Sequence, residues 1–298
     1  MDGERAAPYL SFLGLDPVPV AGARILILPV PYDLTTSYQP GTRRGPLAIL
    51  EASTHVELYD ERLEDEPWRL GIATLEPLVP ATEGPEAMVR RIAREAARRV
   101  DAGRFLLTLG GEHSITPPLV AAHREVWPEL TVVQVDAHAD LRDRFEGSPH
   151  NHACAMRRIL EAGGRIVQVG IRSLTREEHA LIRETPRIRT FFARELEGRP
   201  PASWAAEVAG AVEGPCYLTV DLDGLDPSIM PATGTPEPGG LGWHAVSELV
   251  AALAARGPLV GADIVELAPI PGLVAPDFLA ARLAQRIAGF AARSRGWL

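Results

Sequence analysis

Six short, almost unbroken apolar runs recur along the chain, with Gly and Pro clusters punctuating the switches between segments. They lie at residues 24–30 (RILILPV), 105–109 (FLLTL), 130–135 (LTVVQV), 166–171 (IVQVGI), 217–220 (YLTV) and 259–265 (LVGADIV). Between them, segments at 85–100, 175–184, 202–212, 243–255 and 276–293 carry apolar residues at helical spacing. Continuous apolar runs, in place of apolar/polar alternation, are what strands covered on both faces require. The expected fold is therefore α/β, with a parallel sheet sandwiched between helix layers. Ligands of such sheets sit beyond the carboxyl ends of the strands, so the residues following each run matter most. No internal repeat, low-complexity segment or composition break divides the chain, and residues 1–298 are expected to form a single domain. The longest stretch without helical periodicity, 221–242, is dense in Gly and Pro.

Three runs lead into side chains that ligate metals. In VVQVDAHADLRD an apolar strand runs into Asp136, His138 and Asp140, and spacing of two along an extended chain puts all three on one side. CYLTVDLDGLDP repeats the device with Asp221 and Asp223, and LTLGGEHS offers His113 after Gly110 and Gly111. One DxD at a strand end is commonly a turn or cap, and a lone histidine commonly a hydrogen-bonded one. Three strand ends with the same chemistry are different: unpaired carboxylates are costly to bury, and these segments contain almost no Lys or Arg except Arg142 and Arg144. A compensating metal is the simpler account. Six ligands with four carboxylates exceed the needs of one catalytic ion that keeps open positions, so two metals are expected, about 3.5–4 Å apart. The oxygen-rich set with imidazole favours Mn, with Co, Ni, Fe and Zn open.

Composition narrows the partners. The net charge of -9 argues against nucleic acid and favours a cationic small molecule. The basic series Arg90, Arg91, Arg94, Arg98 and Arg99 reads as one solvated helix face. No apolar run is long enough for a membrane helix, two cysteines make no disulfide framework, and no secretory signal opens the chain, so a cytoplasmic location is expected.

Taken together, GGEHS, DAHAD, NHACAMRR, DLDGLDP with MPATGTPEPGG, and DIVELAP resemble the ureohydrolase family of arginases and agmatinases. The stretch PYDLTTSYQPGTRRGPLAI resembles its agmatinase branch. The resemblance runs from about Leu26 to the last helix. It implies an arginase-like three-layer α/β/α sandwich with a mostly parallel central sheet, two Mn2+ sharing a hydroxide, and a homo-oligomer, trimeric or hexameric. Carried over by position, Asp136 and Asp221 bridge both metals, His113 and Asp140 complete one, and His138 and Asp223 the other. Asp140 would also aim the hydroxide, His152 would donate or shuttle the proton that lets the amine leave, and Glu266 would pair with the substrate guanidinium. His152 fits the family's small-residue pattern better than His150, which reads as a loop or rim residue. Cys154 reads as a small buried thiol.

Arginases carry an asparagine two residues past the last aspartate of the DAHxD motif, and here that position is Arg142. The departure argues against arginine. It favours a guanidino-amine such as agmatine, cleaved to putrescine and urea. Aminopropylagmatine and guanidinobutyrate remain alternatives, and Asp143 and Glu146 are possible contacts for a distal amine. Two rival readings are a single-zinc amide hydrolase on the related deacetylase architecture and a non-catalytic metal-binding regulator.

Overall fold

The computed structural model describes residues 10–298. Eight strands, β1 (Ile25–Val30), β2 (Ile72–Thr74), β3 (Phe105–Gly110), β4 (Thr131–Val135), β5 (Arg165–Ile171), β6 (Ile188–Phe192), β7 (Cys216–Asp221) and β8 (Leu259–Val265), form one sheet. Its order is β2-β1-β3-β8-β7-β4-β5-β6, and every pairing is parallel. All six apolar runs are strands, with ends displaced by one residue at most. The two strands the runs did not reveal, β2 and β6, are the sheet's edges. An edge strand needs less two-sided cover: β2 is three residues long, and β6 carries the exposed Arg189 among apolar neighbours.

Among the described residues nine α-helices surround the sheet: α1 (Gly45–Ser53), α2 (Pro85–Arg99), α3 (Thr116–Val126), α4 (Ala155–Glu161), α5 (Arg176–Glu184), α6 (Ala193–Leu196), α7 (Pro201–Gly210), α8 (Trp243–Arg256) and α9 (Ala275–Ser294). Successive strand residues point to opposite faces, so Ile25 and Ile27 enter a core shared with α1, α7, α8 and α9. Leu26 and Leu28 enter a second core, beneath α2, α3 and α4. Periodicity missed α1, α3, α4 and α6. The Gly-Pro of α1 and the Thr-Pro-Pro of α3 are first turns, where Pro is tolerated because its absent N–H has no helical partner anyway. The arginine series of α2 is solvated only in part: Arg90, Arg94 and Arg98 are exposed, but Arg99 packs its Nε 2.7 Å from Glu95. Among the described residues no helix is long and apolar enough to cross a membrane.

His123 on α3 is buried between the sheet and its own helix. Its Nδ1 donates to the Leu119 carbonyl at 2.8 Å, and its ring packs edge-on to Tyr217. Burial pushes the imidazole down to about 4, whereas an unfolded histidine titrates near about 6.5. Between those values the unfolded chain binds the extra proton, so stability falls as pH drops through the window. Tm is expected to fall from pH 6.5 towards 4, and to fall less steeply in His123→Gln; parallel curves for the two proteins would refute the assignment.

Candidate metal centre

Strands β3 and β4, consecutive in the chain, are separated in the sheet by β8 and β7. The four neighbouring strands β3, β8, β7 and β4 thus end side by side, and each delivers site residues at its carboxyl end. His113 follows β3, Glu266 follows β8, Asp221 ends β7 with Asp223 just after it, and Asp136, His138 and Asp140 follow β4. Gly111 lets the chain leaving β3 close against the chain leaving β1, because a Cβ there would lie 1.9 Å from the Tyr32 carbonyl oxygen. Asp140 and Glu266 hold left-handed backbones, with φ of 52° and 66°, a conformation non-glycine residues seldom adopt away from functional sites.

The six predicted ligands converge. His113, Asp136 and Asp140 form one group with mutually close ligand atoms, and Asp136, His138 and Asp223 form a second, so Asp136 stands in both. His113 Nδ1 lies 3.2 Å from Asp136 Oδ2, 3.0 Å from Asp140 Oδ2 and 3.4 Å from Asp221 Oδ2. His138 Nδ1 lies 2.9 Å from Asp223 Oδ2 and 3.6 Å from Asp136 Oδ1. Asp221 joins neither compact group; its Oδ1 accepts the Asp223 N–H at 2.9 Å.

Among the described residues no Lys or Arg forms an ion pair with the four aspartates. Burial opposes protonation of His113, yet the carboxylates of Asp136, Asp140 and Asp221 outweigh it and hold the imidazole well above its ordinary value. Burial likewise opposes protonation of His138, but Asp223 and Asp136 push it up to about 12. Asp140 is pushed up to about 7 by burial and the neighbouring Asp136 charge, and burial beside Asp223 and Asp136 holds Asp221 well above its ordinary value. His113 Nδ1 is buried without a hydrogen-bond partner although three carboxylates surround it. That orphaned nitrogen among carboxylates is what a cation would satisfy, and the donor set of hard carboxylate oxygens and imidazoles fits a divalent ion.

Beneath the ligands runs a row of polar side chains that the sequence reading passed over. Thr108, Asp263, Thr219, Gln134, Gln168 and Thr190 occupy matching register positions on six adjacent strands. Gln134 and Thr219 lie two residues before Asp136 and Asp221, hence on the same face. Thr219 Oγ1 donates to Asp263 Oδ1 at 2.5 Å, which leaves it to accept from His113 Nε2 at 2.9 Å and so turns Nδ1 into the cluster. Gln134 Nε2 donates to Asp136 Oδ2 at 2.7 Å, and Gln168 in turn donates to Gln134 Oε1 at 2.7 Å. The signal was present in five of the six apolar runs as a polar residue among apolar neighbours: Thr108, Gln134, Gln168, Thr219 and Asp263. Arg172, also unflagged, spreads its guanidinium over the carbonyls of Asp223 (2.7 Å), Glu237 (2.7 Å) and Pro238 (2.9 Å), binding the Gly/Pro-rich loop to the end of β5.

Above the cluster opens a cavity of about 270 Å3 whose walls include His138, Asp140, His152, Ser37, Arg142 and Phe145. Glu266 borders an adjoining cleft with Asp221 and Asp223, and its Oε1 accepts the His113 N–H at 2.7 Å. Burial, with Glu112 nearby, holds the Glu266 carboxyl well above its ordinary range. Burial pushes His152 down to about 4.

The sequence matches the model of the arginase family over residues 23–289. The chain belongs to the arginase family. It is 44% identical over 277 residues to an N(1)-aminopropylagmatine ureohydrolase of Synechocystis, covering 91% of this chain and 90% of that protein. It is 34% identical over 287 residues to an agmatinase of Pyrococcus horikoshii, covering 96% and 98%. The solved agmatine ureohydrolase of Thermoplasma volcanium superposes with a TM-score of 0.83 at 31% identity, covering 93% and 92%. The protein is an arginase-family ureohydrolase, an enzyme acting on the C–N bonds of linear amidines.

Within this arginase-family site the remaining candidates separate. Arg142 stacks its guanidinium on Phe145 at 4.5 Å, and Phe145 meets His152 edge-on at 6.3 Å. Asp143 is exposed and pairs with Arg158 at 2.9 Å, and neither Asp143 nor Glu146 lines the cavity. His150 does not line it either, whereas His152 does. Cys154 is fully buried, and burial pushes its thiol up to about 11, far from a reactive thiolate.

Proposed function

We propose that the protein releases urea from a linear guanidino-amine at a two-cation centre held by His113, Asp136, His138, Asp140, Asp221 and Asp223. The observation that carries this reading is the membership of Asp136 in two ligand groups, His113–Asp136–Asp140 and Asp136–His138–Asp223. Two divalent ions held there, with manganese suited to the oxygen-rich set, would acidify a bound water towards neutrality. Asp221, 3.4 Å from His113 Nδ1, would complete the ligand set.

The chain's own groups do the rest. Glu266 spends Oε1 on the His113 N–H, which leaves Oε2 for a guanidinium N–H and holds the planar carbon over the cluster. Asp140, which lines the cavity, would accept a hydrogen bond from the attacking water and set its direction. His152 Nδ1 donates to the Thr35 carbonyl at 2.6 Å, so Nε2 keeps its lone pair towards the cavity. There it would take the proton that the attacking water gives up and deliver it to the departing amine.

The substrate is N1-aminopropylagmatine, with agmatine as the shorter alternative. The relative at 44% identity carries the first name and the relative at 34% the second. Arg142 at the cavity wall, in place of the arginase asparagine, disfavours arginine. Loss of urea leaves a triamine from the first compound and putrescine from the second. A urea-release screen over aminopropylagmatine, agmatine, arginine and guanidinobutyrate, with Mn, Ni and Co each supplied, is expected to give the highest kcat/KM with aminopropylagmatine and Mn. No urea from any of the four would sink the reading; a preference for guanidinobutyrate would assign Arg142 to a substrate carboxylate instead. The same reading carries two metals per chain, against one for a deacetylase-like zinc site, and assembly into trimers or hexamers.

A further inference from the structure

We propose that Thr35 is a positioning residue that, anchored by Glu112, sets the tautomer and aim of His152. The inference rests on the proton-transfer role given to His152 above. Thr35 commits every polar group it has. Its N–H donates to Glu112 Oε2 at 2.6 Å and its hydroxyl to Glu112 Oε1 at 2.6 Å. That hydroxyl oxygen accepts the His152 N–H at 3.1 Å, and the Thr35 carbonyl accepts His152 Nδ1 at 2.6 Å. Asn151 Nδ2 adds a second bond to the same carbonyl, at 3.3 Å.

A carbonyl oxygen only accepts, so His152 Nδ1 must carry the proton and Nε2 the lone pair. Nε2 then lies 3.3 Å from Ser37 Oγ, on the cavity side. One residue thereby fixes both the ring's tautomer and the backbone from which it projects. Thr35 cannot drift, because its anchor does not. Glu112 is fully buried, receives a further bond from Ser114 Oγ at 2.5 Å, and donates its N–H to the Tyr32 carbonyl at 2.8 Å. It also precedes His113 in the chain, so the same strand end that delivers a ligand holds the adaptor for His152. The two ends of this link, Thr35 and His152, are 117 residues apart.

Thr35→Val keeps the carbonyl and the β-branched shape but removes the hydroxyl that both donates to Glu112 and accepts from His152. The experiment measures urea release and metal stoichiometry for Thr35→Val and Thr35→Ser, each alone and combined with His152→Asn. Misplacing a reacting group by an ångström costs on the order of a hundredfold, so Thr35→Val is expected to lose about tenfold to a hundredfold in kcat with KM and metal content retained. Thr35→Ser is expected to recover most of that loss. In the His152→Asn background Thr35→Val should cost nothing further, a non-additivity that a purely structural role does not produce. The inference is overturned by an unchanged kcat in Thr35→Val, by equal fold losses in the two backgrounds, or by loss of metal. If Thr35→Val does not fold, Glu112→Gln is read by the same cycle, with equal losses or depleted metal again overturning it. Wild-type protein that releases no urea refutes the function itself; wild-type activity that depends on His152 but not on Thr35 refutes this inference alone.

Discussion

Asp136→Asn is expected to empty the metal centre and lower urea release by at least about three powers of ten. Asparagine keeps the shape of aspartate but turns one of its two oxygens into an amide donor. Both oxygens are needed: Oδ2 faces His113 at 3.2 Å and Oδ1 faces His138 at 3.6 Å, one towards each ligand group. Each is also aimed by a donor, Gln134 Nε2 at 2.7 Å and the His138 N–H at 2.6 Å, so an amide nitrogen at either place meets a second donor head-on. Bound cations bring the pKa of water from about 15.7 to about 7, and forfeiting even a third of that lowering removes about a thousandfold of the nucleophile at neutral pH. Metal analysis and urea assays on the same preparations check this. Asp143→Asn, on the exposed aspartate paired with Arg158, serves as the control expected to match wild type. An Asp136→Asn protein with two metals per chain and ordinary turnover would mean the centre lies elsewhere. Because cations bind only the folded cluster, chelation is also expected to lower Tm of the wild type and to leave Tm of Asp136→Asn unmoved.

His152→Asn carries the second large effect, a loss of about a hundredfold to ten-thousandfold in kcat, the range general acid–base groups supply. Here the metals are expected to stay, because His152 belongs to neither ligand group. The partner experiment is His150→Asn, which should be nearly silent: His150 does not line the cavity, while His152 faces it across from Ser37. If His150→Asn loses turnover and His152→Asn keeps it, the proton-transfer role moves to the other histidine.

The metal ligands were legible because their signals are local. Spacing of two after an apolar run places Asp136, His138 and Asp140, or Asp221 and Asp223, on one side of a strand end wherever that strand lies. The polar row under them was equally written in the runs, as the Gln of VVQV and the Thr of YLTV. It went unread because one polar residue in an apolar run has no evident partner until six strands are aligned. Thr35 and Arg172 carried no local signal at all. Their bonds reach His152 and the carbonyls of Asp223, Glu237 and Pro238, far along the chain.

From the sequence by itself came the two-sided parallel sheet and the strand ends that bear the ligands, since both follow from burial and from the two-residue pleat of an extended chain. Tertiary structure alone decided which strands are neighbours. The order β3-β8-β7-β4 sets residues 113, 266, 221 and 136 side by side, puts Asp136 in both ligand groups, and leaves Asp221 outside their compact core. Strand order is a non-local choice, settled by how the helix layers cover the sheet, and no window of sequence contains it.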